Sequence, residues 1–225
     1  MKNKYLRIQF FIVLFFLVIP PVLRGAGDSA TVFSPQIRTG VLIQLATAAI
    51  LFFQNRITSR IEDTNERRKE RVRVAFKTSY WWALTLGFLM ILYAFIELTC
   101  IIMKLNQYFA KRPFFDNTLM NWTCTIIILA ISAFYEETLY RQYLPETLME
   151  IIPRKGKAMF WISEIISIIL FALAHRYMGL VPVINALVSG AILRFSYRKT
   201  GSIYAGLIAH FTYNILLVAF AALSS

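Results

Sequence analysis

From Tyr80 to Met103 the chain carries one charged residue, Glu97. Runs of this kind recur along the whole sequence, and the longer ones, of about 20 residues, can cross the ~30 Å hydrocarbon core of a bilayer as a helix. Within lipid, backbone amides and carbonyls must be bonded inside the chain, so such runs fold as helices. The runs are Ile8 to Leu23, Val41 to Phe53, Tyr80 to Met103, Leu119 to the pair Glu136-Glu137, Met159 to Ala174, Val181 to Phe195 and Ile203 to Leu223. They predict an all-α fold, a polytopic membrane helical bundle of about seven transmembrane helices. Hydrophobic residues make up 58% of the 225 positions, above the share usual in soluble domains. The chain is expected to be a single membrane domain, residues 1–225, divided into N-terminal spans with a basic connector (1–118) and a core of four spans (119–225).

The net charge of +12 would suggest nucleic acid in a soluble protein. Here the positive residues sit between apolar runs, where they act as topology signals, and no nucleic-acid partner is expected. The stretch Asn55 to Thr78 holds eight Lys/Arg and reads as a solvated cytosolic connector, a helix extension or loop, in preference to a site for anionic lipid headgroups. With the N-terminus cytosolic, 18 of the 24 Lys/Arg fall on the inner side and six on the outer. The expected location is thus an inner or plasma membrane, with the C-terminus outside. The first run, preceded by Lys2, Lys4 and Arg7, is read as an uncleaved signal anchor kinked or ended by Pro20 and Pro21. Asp28 to Gly40 and Lys104 to Asp116 read as loops. Cys100 and Cys124 both lie in apolar stretches, which argues against a disulfide framework.

Ionisable side chains inside a membrane span are costly and mark functional sites. On a helix, Glu137 and Arg141 are four apart and can pair, while Glu136 points about 100° away, free for chemistry. The chain has two histidines. His175 ends the fifth run; His210 lies in the seventh, on one face with Asn214, Gly206 and Ser202. A carboxylate and a histidine can take a proton from water as general bases. A second histidine and an amide can donate to an oxyanion. There is no G-x-S-x-G nucleophile motif, so direct attack of water on an amide is the simplest reaction class. Glu136, His175 and His210 could instead form a zinc site with an open position, although the H-E-x-x-H spacing is missing.

The ordered set Glu136-Glu137-x-x-x-Arg141, Phe171-x-x-x-His175 and His210-x-x-x-Asn214 resembles the motifs of the CPBP family, the CAAX prenyl proteases and bacteriocin-processing enzymes also called Abi. The resemblance covers about Trp122 to Phe220. It implies an intramembrane endopeptidase of the glutamate type, in which Glu136 and His175 activate water, His210 and Asn214 form the oxyanion hole, and Glu137 and Arg141 support the site. It favours catalysis without metal or other cofactor, zinc being the alternative. The partners it implies are the bilayer and a membrane-associated protein or peptide substrate. Some members act as immunity proteins, so a non-catalytic membrane scaffold is the competing function.

Hydropathy alone leaves Glu136 near the inner end of its span and His175 near the outer end of the next. Two helix extensions would bring them level: the fourth span past Arg141 towards Ile152, kinked at Pro145, and the fifth past His175 towards Leu180. The resulting polar cavity among the last four spans is expected to open to the cytosolic side.

Overall fold

The computed structural model describes residues 2–24, 39–59, 67–104, 118–152 and 156–223, and among them no strand occurs. In chain order the elements are α1 (Lys2–Val13), a π-helical stretch (Leu14–Val18), α2 (Ile19–Leu23), α3 (Thr39–Ser59) and α4 (Arg67–Ile102). There follow α5 (Leu119–Glu136), a second π-helical stretch (Glu137–Tyr143), α6 (Leu144–Ile151), α7 (Lys157–Leu173), a 3-10 turn (Arg176–Met178), α8 (Leu180–Thr200) and α9 (Ile203–Leu223). Among the described residues, six helical segments are long and apolar enough to span a membrane, and Thr39–Gln54 is a shorter apolar helix. The protein is therefore an integral membrane helical bundle. The connector is a helix extension at both ends, since α3 continues to Ser59 and α4 begins at Arg67. The two expected loops lie outside the described residues, apart from Thr39 and Gly40 in α3 and Lys104.

Helix boundaries follow local chemistry. Thr118 caps α5 by accepting from the Asn121 amide at 3.3 Å, which satisfies one of the first-turn amides left over by helix geometry. Gly201 ends α8 in the left-handed conformation, φ 68°, where a side chain would be strained. This allows α9 to fold back at once.

Both π-helical stretches run up to a proline. Pro21 has no amide to give the Leu17 carbonyl, and Pro145 has none for the Arg141 carbonyl four residues back. Each orphaned carbonyl takes a donor from another helix. The Tyr135 hydroxyl donates to Leu17 O at 3.3 Å, and an Arg194 guanidinium nitrogen donates to Arg141 O. Pro145 thus does not end the fourth span: Leu119–Ile151 is one segment of 33 residues, about 50 Å at 1.5 Å per residue. Glu136 lies near its middle.

The second expected extension is met only in part: the span runs on past His175 to Met178, but not as α-helix. The α-helix α7 stops at Leu173, and His175 sits in a turn (φ −95°, ψ 1°) followed by the 3-10 turn to Met178. The chain reaches Leu180 as a tight corner, not as a longer helix.

Lipid tails are as apolar as leucine, so burial of apolar area does not by itself hold such helices together; close packing and polar contacts do. One buried cluster joins Phe10, Val13 and Val18 of the first span and Ala48 and Leu51 of α3 to Leu139, Leu144, Phe171 and Ala186 of the core. A second joins Leu89 of α4 to Leu193, Ala209 and Tyr213. The N-terminal spans are thus packed on the core. Both cysteines are free thiols.

Candidate active site

Glu136 is the last residue of α5 and Glu137 the first of the π-helical stretch. The turn between them sends the two carboxylates to different places. The Glu137 side chain is almost fully enclosed; that of Glu136 keeps 20% of its surface exposed. Glu137 Oε1 lies 2.9 Å from His210 Nδ1 and 3.3 Å from Arg141 Nε. Glu137 Oε2 fits against Gly206, where an added Cβ would come within 2.9 Å of it. The small-residue face expected on α9 is therefore the face that admits this carboxylate.

Arg141 is 1% exposed, and its guanidinium carbon stands 3.7 Å above the centre of the Phe171 ring, a cation–π contact in a desolvated setting. The same ring meets His175 edge to face at 4.7 Å and His210 at 6.3 Å between centroids. Phe171 is thus the packing centre between the two histidines. It also fixes His175 through its backbone. His175 Nδ1 lies 2.8 Å from Phe171 O, and a carbonyl only accepts, so Nδ1 carries the proton. In the neutral ring, Nε2 is left as a free base.

His210 Nε2 is 3.6 Å from Glu136 Oε2, so this ring stands between the two glutamates. Asn214 follows one turn along α9. Glu136, His175, His210 and Asn214 all line one cavity of about 410 Å³. Glu137 and Arg141 stand behind it. Glu97 lies outside its lining.

The cavity runs from Glu136 along α5 to Thr125 and along α9 to Ala221, with Pro182 to Leu193 of α8 on another side. These stretches all lie towards the start of α5 and the end of α9. The basic connector joins the opposite end of the bundle. The cavity's lining thus gathers in the half of the bundle away from the connector.

Several polar residues escaped the sequence reading. Asn185 and Tyr213 line the cavity, and the Tyr213 hydroxyl donates to Asn185 Oδ1 at 3.1 Å. Asn185 interrupts the apolar run Val181 to Phe195, which is a usable signal. Glu164 likewise interrupts Met159 to Ala174. It is held by Arg194 through two bonds of 2.6 Å, and the Tyr197 hydroxyl donates to Glu146 beside it. Arg141 and Arg194 had been counted as topology signals, yet both are buried. Without them the charge bias is sixteen against six. Among the described residues, no three His, Cys, Asp or Glu side chains come together as a ready-made metal site.

Residues 118–216 match the family described as type II CAAX prenyl endopeptidase Rce1-like. The match begins at the cap of α5 and ends within α9, and it contains every residue of the three motifs. This part of the chain is similar to the Rce1-like domains of the CPBP family, and that likeness supports an intramembrane protease of the CAAX type. Neither the curated proteins nor the solved structures gave a match.

Proposed function

We propose that this protein is an intramembrane endopeptidase that cleaves a membrane-associated protein or peptide by direct attack of water. The observation that supports this reading best is that Glu136, His175, His210 and Asn214 line a single cavity within otherwise apolar helices. Side chains so costly to place in a membrane are kept where they have a use. Water bound between Glu136 and Nε2 of His175 gives up its proton as its oxygen attacks the peptide carbonyl. The negative oxygen that forms is held by His210 and the Asn214 amide. Since His210 Nδ1 already donates to Glu137, this role uses the doubly protonated ring, with Nε2–H as the donor. The proton taken from water then passes to the leaving amine as the C–N bond breaks. No metal takes part in this scheme.

We place the basic connector and the N-terminus in the cytosol, in an inner or plasma membrane. The cavity then faces the non-cytosolic side, and substrates reach it from there. The test is cleavage of quenched fluorogenic membrane peptides by the full chain in liposomes, with products read by mass spectrometry. The wild type should cleave a subset of peptides and Glu136→Gln none. A cellular effect that survives Glu136→Gln would instead favour the scaffold reading.

A further inference from the structure

We infer that the first span, which lies outside the residues that match the Rce1-like family, is a positioning element that holds both proton-accepting residues of the site in place. The inference rests on the catalytic reading of Glu136 and His175. Its basis is a pair of hydrogen bonds made to backbone carbonyls of one helix. Tyr135, the neighbour of Glu136, donates to Leu17 O at 3.3 Å. Arg176, the neighbour of His175, donates to Val22 O at 3.3 Å. Arg24 then lies over the ring of Tyr177, 4.9 Å from its centre, and Tyr177 lines the cavity. Neither Tyr135 nor Arg176 lines it, so both would act through their neighbours.

The acceptors are available because of the sequence Pro20-Pro21. In an unbroken helix the Leu17 carbonyl would be bonded by the amide of residue 21. Proline has no such amide, so the carbonyl is left to bond with Tyr135. The Val22 carbonyl belongs to the last turn of α2, where helix geometry leaves acceptors free. The double proline thus does more than end a span. It creates one docking point, and the helix end it brings about supplies a second. His175 depends on the second more than Glu136 does on the first. Glu136 is carried by a long helix, whereas His175 sits in a corner between α7 and a single 3-10 turn.

The experiment uses the full chain in liposomes, with any fluorogenic peptide that the wild type cleaves. Tyr135→Phe removes the donor alone and should lower kcat about tenfold, the scale of one hydrogen bond, with KM unchanged. Pro21→Ala leaves the Tyr135 hydroxyl in place and gives Leu17 its helical amide back. If the proline only shaped the span, this change would leave kcat intact. On the positioning account it lowers kcat to about the level of Tyr135→Phe, and the double variant is no worse than either single one, because both remove one bond. Unchanged kcat in Pro21→Ala, or additive losses, would overturn the inference. A second arm needs no substrate. Arg176→Gln should speed hydrogen exchange at the amides of Met178 and Gly179, which close the 3-10 turn, while α9 stays protected; unchanged exchange there would also overturn it. Should Glu136→Gln remain active, the catalytic reading itself fails, and the exchange result still decides whether the first span holds the turn.

Discussion

Glu164 and Glu136 are both carboxylates set in apolar helices, and the bundle treats them in opposite ways. Glu164 receives two nitrogens of Arg194 at 2.6 Å, and the side chains of both are more than nine-tenths buried. Its charge is answered by a planar fork that matches it. The third contact of Arg194, to the carbonyl that Pro145 leaves open, ties down the fourth span as well. Glu136 has a partly exposed side chain, a cavity before it, and an imidazole at 3.6 Å. A carboxylate buried against an arginine fork has no room beside it for a water, whereas one facing a cavity does. Glu137 stands between these extremes, buried like Glu164 but bonded to His210 of the site. On the proposed mechanism, partner geometry, more than burial, separates the structural carboxylates from the reactive one.

The comparison breaks first at the reactive group. Glu136→Ala, His175→Ala or His210→Ala should each reduce peptide cleavage to background while the protein still inserts and purifies. Retained activity in any one of them removes that residue from the mechanism. The structural group should fail differently. Arg194→Met leaves the Glu164 charge buried without a partner, a loss of about 3–5 kcal/mol, seen as a lower denaturation midpoint in detergent. Adding Glu164→Leu should recover most of it, since replacing both members of a buried pair is often near neutral. A loss of cleavage at unchanged stability would move Arg194 to the reactive side of the comparison.

What could be read in advance follows from the same physics. Lipid forces each span to be helical and mostly apolar, so the ends of α9 and the start of α5 were visible in the sequence. The rarity of strongly polar groups made Glu136, His175, His210 and Asn214 stand out, and helix spacing was enough for the Glu137–Arg141 pair. Contacts between helices were not legible. Nothing in spacing says that Glu164 meets Arg194, that His210 Nδ1 meets Glu137, or that Asn185 meets Tyr213. The π-helical stretches were hidden too, because hydropathy does not register a carbonyl freed by proline. The half of the bundle in which the cavity's lining gathers was not legible for a related reason: it depends on where Leu89, Thr125 and Ala221 come together, and each of them alone reads as ordinary span.

Asn214 sharpens the comparison at a smaller scale. It lines the cavity as Glu136 does, yet its amide carries no charge to be answered, so its removal should spare stability. Loss of one donor to an oxyanion costs about a hundredfold in kcat, which is the loss expected for Asn214→Ala in the liposome assay. A loss below about fivefold would show that His210 carries the oxyanion alone, or that the negative oxygen lies elsewhere.

The smallest effect expected is none at all, from chelation. His175 Nδ1 is engaged by the Phe171 carbonyl and His210 Nδ1 by Glu137. Metal-bound histidines engage their second nitrogen in this same way, so these bonds by themselves would serve a zinc ion on Glu136, His175 and His210 as well as they serve a water. The two schemes part in what His210 does. As an oxyanion donor it needs a proton on Nε2; as a zinc ligand it must offer the lone pair there, and could not also donate. Dialysis of the purified protein against a strong chelator should therefore leave cleavage intact, with no stoichiometric zinc before or after. Loss of activity on chelation, restored by zinc, would turn His210 from donor to ligand and make Glu136 a metal-held carboxylate, as fully answered by its partner as Glu164 is by Arg194.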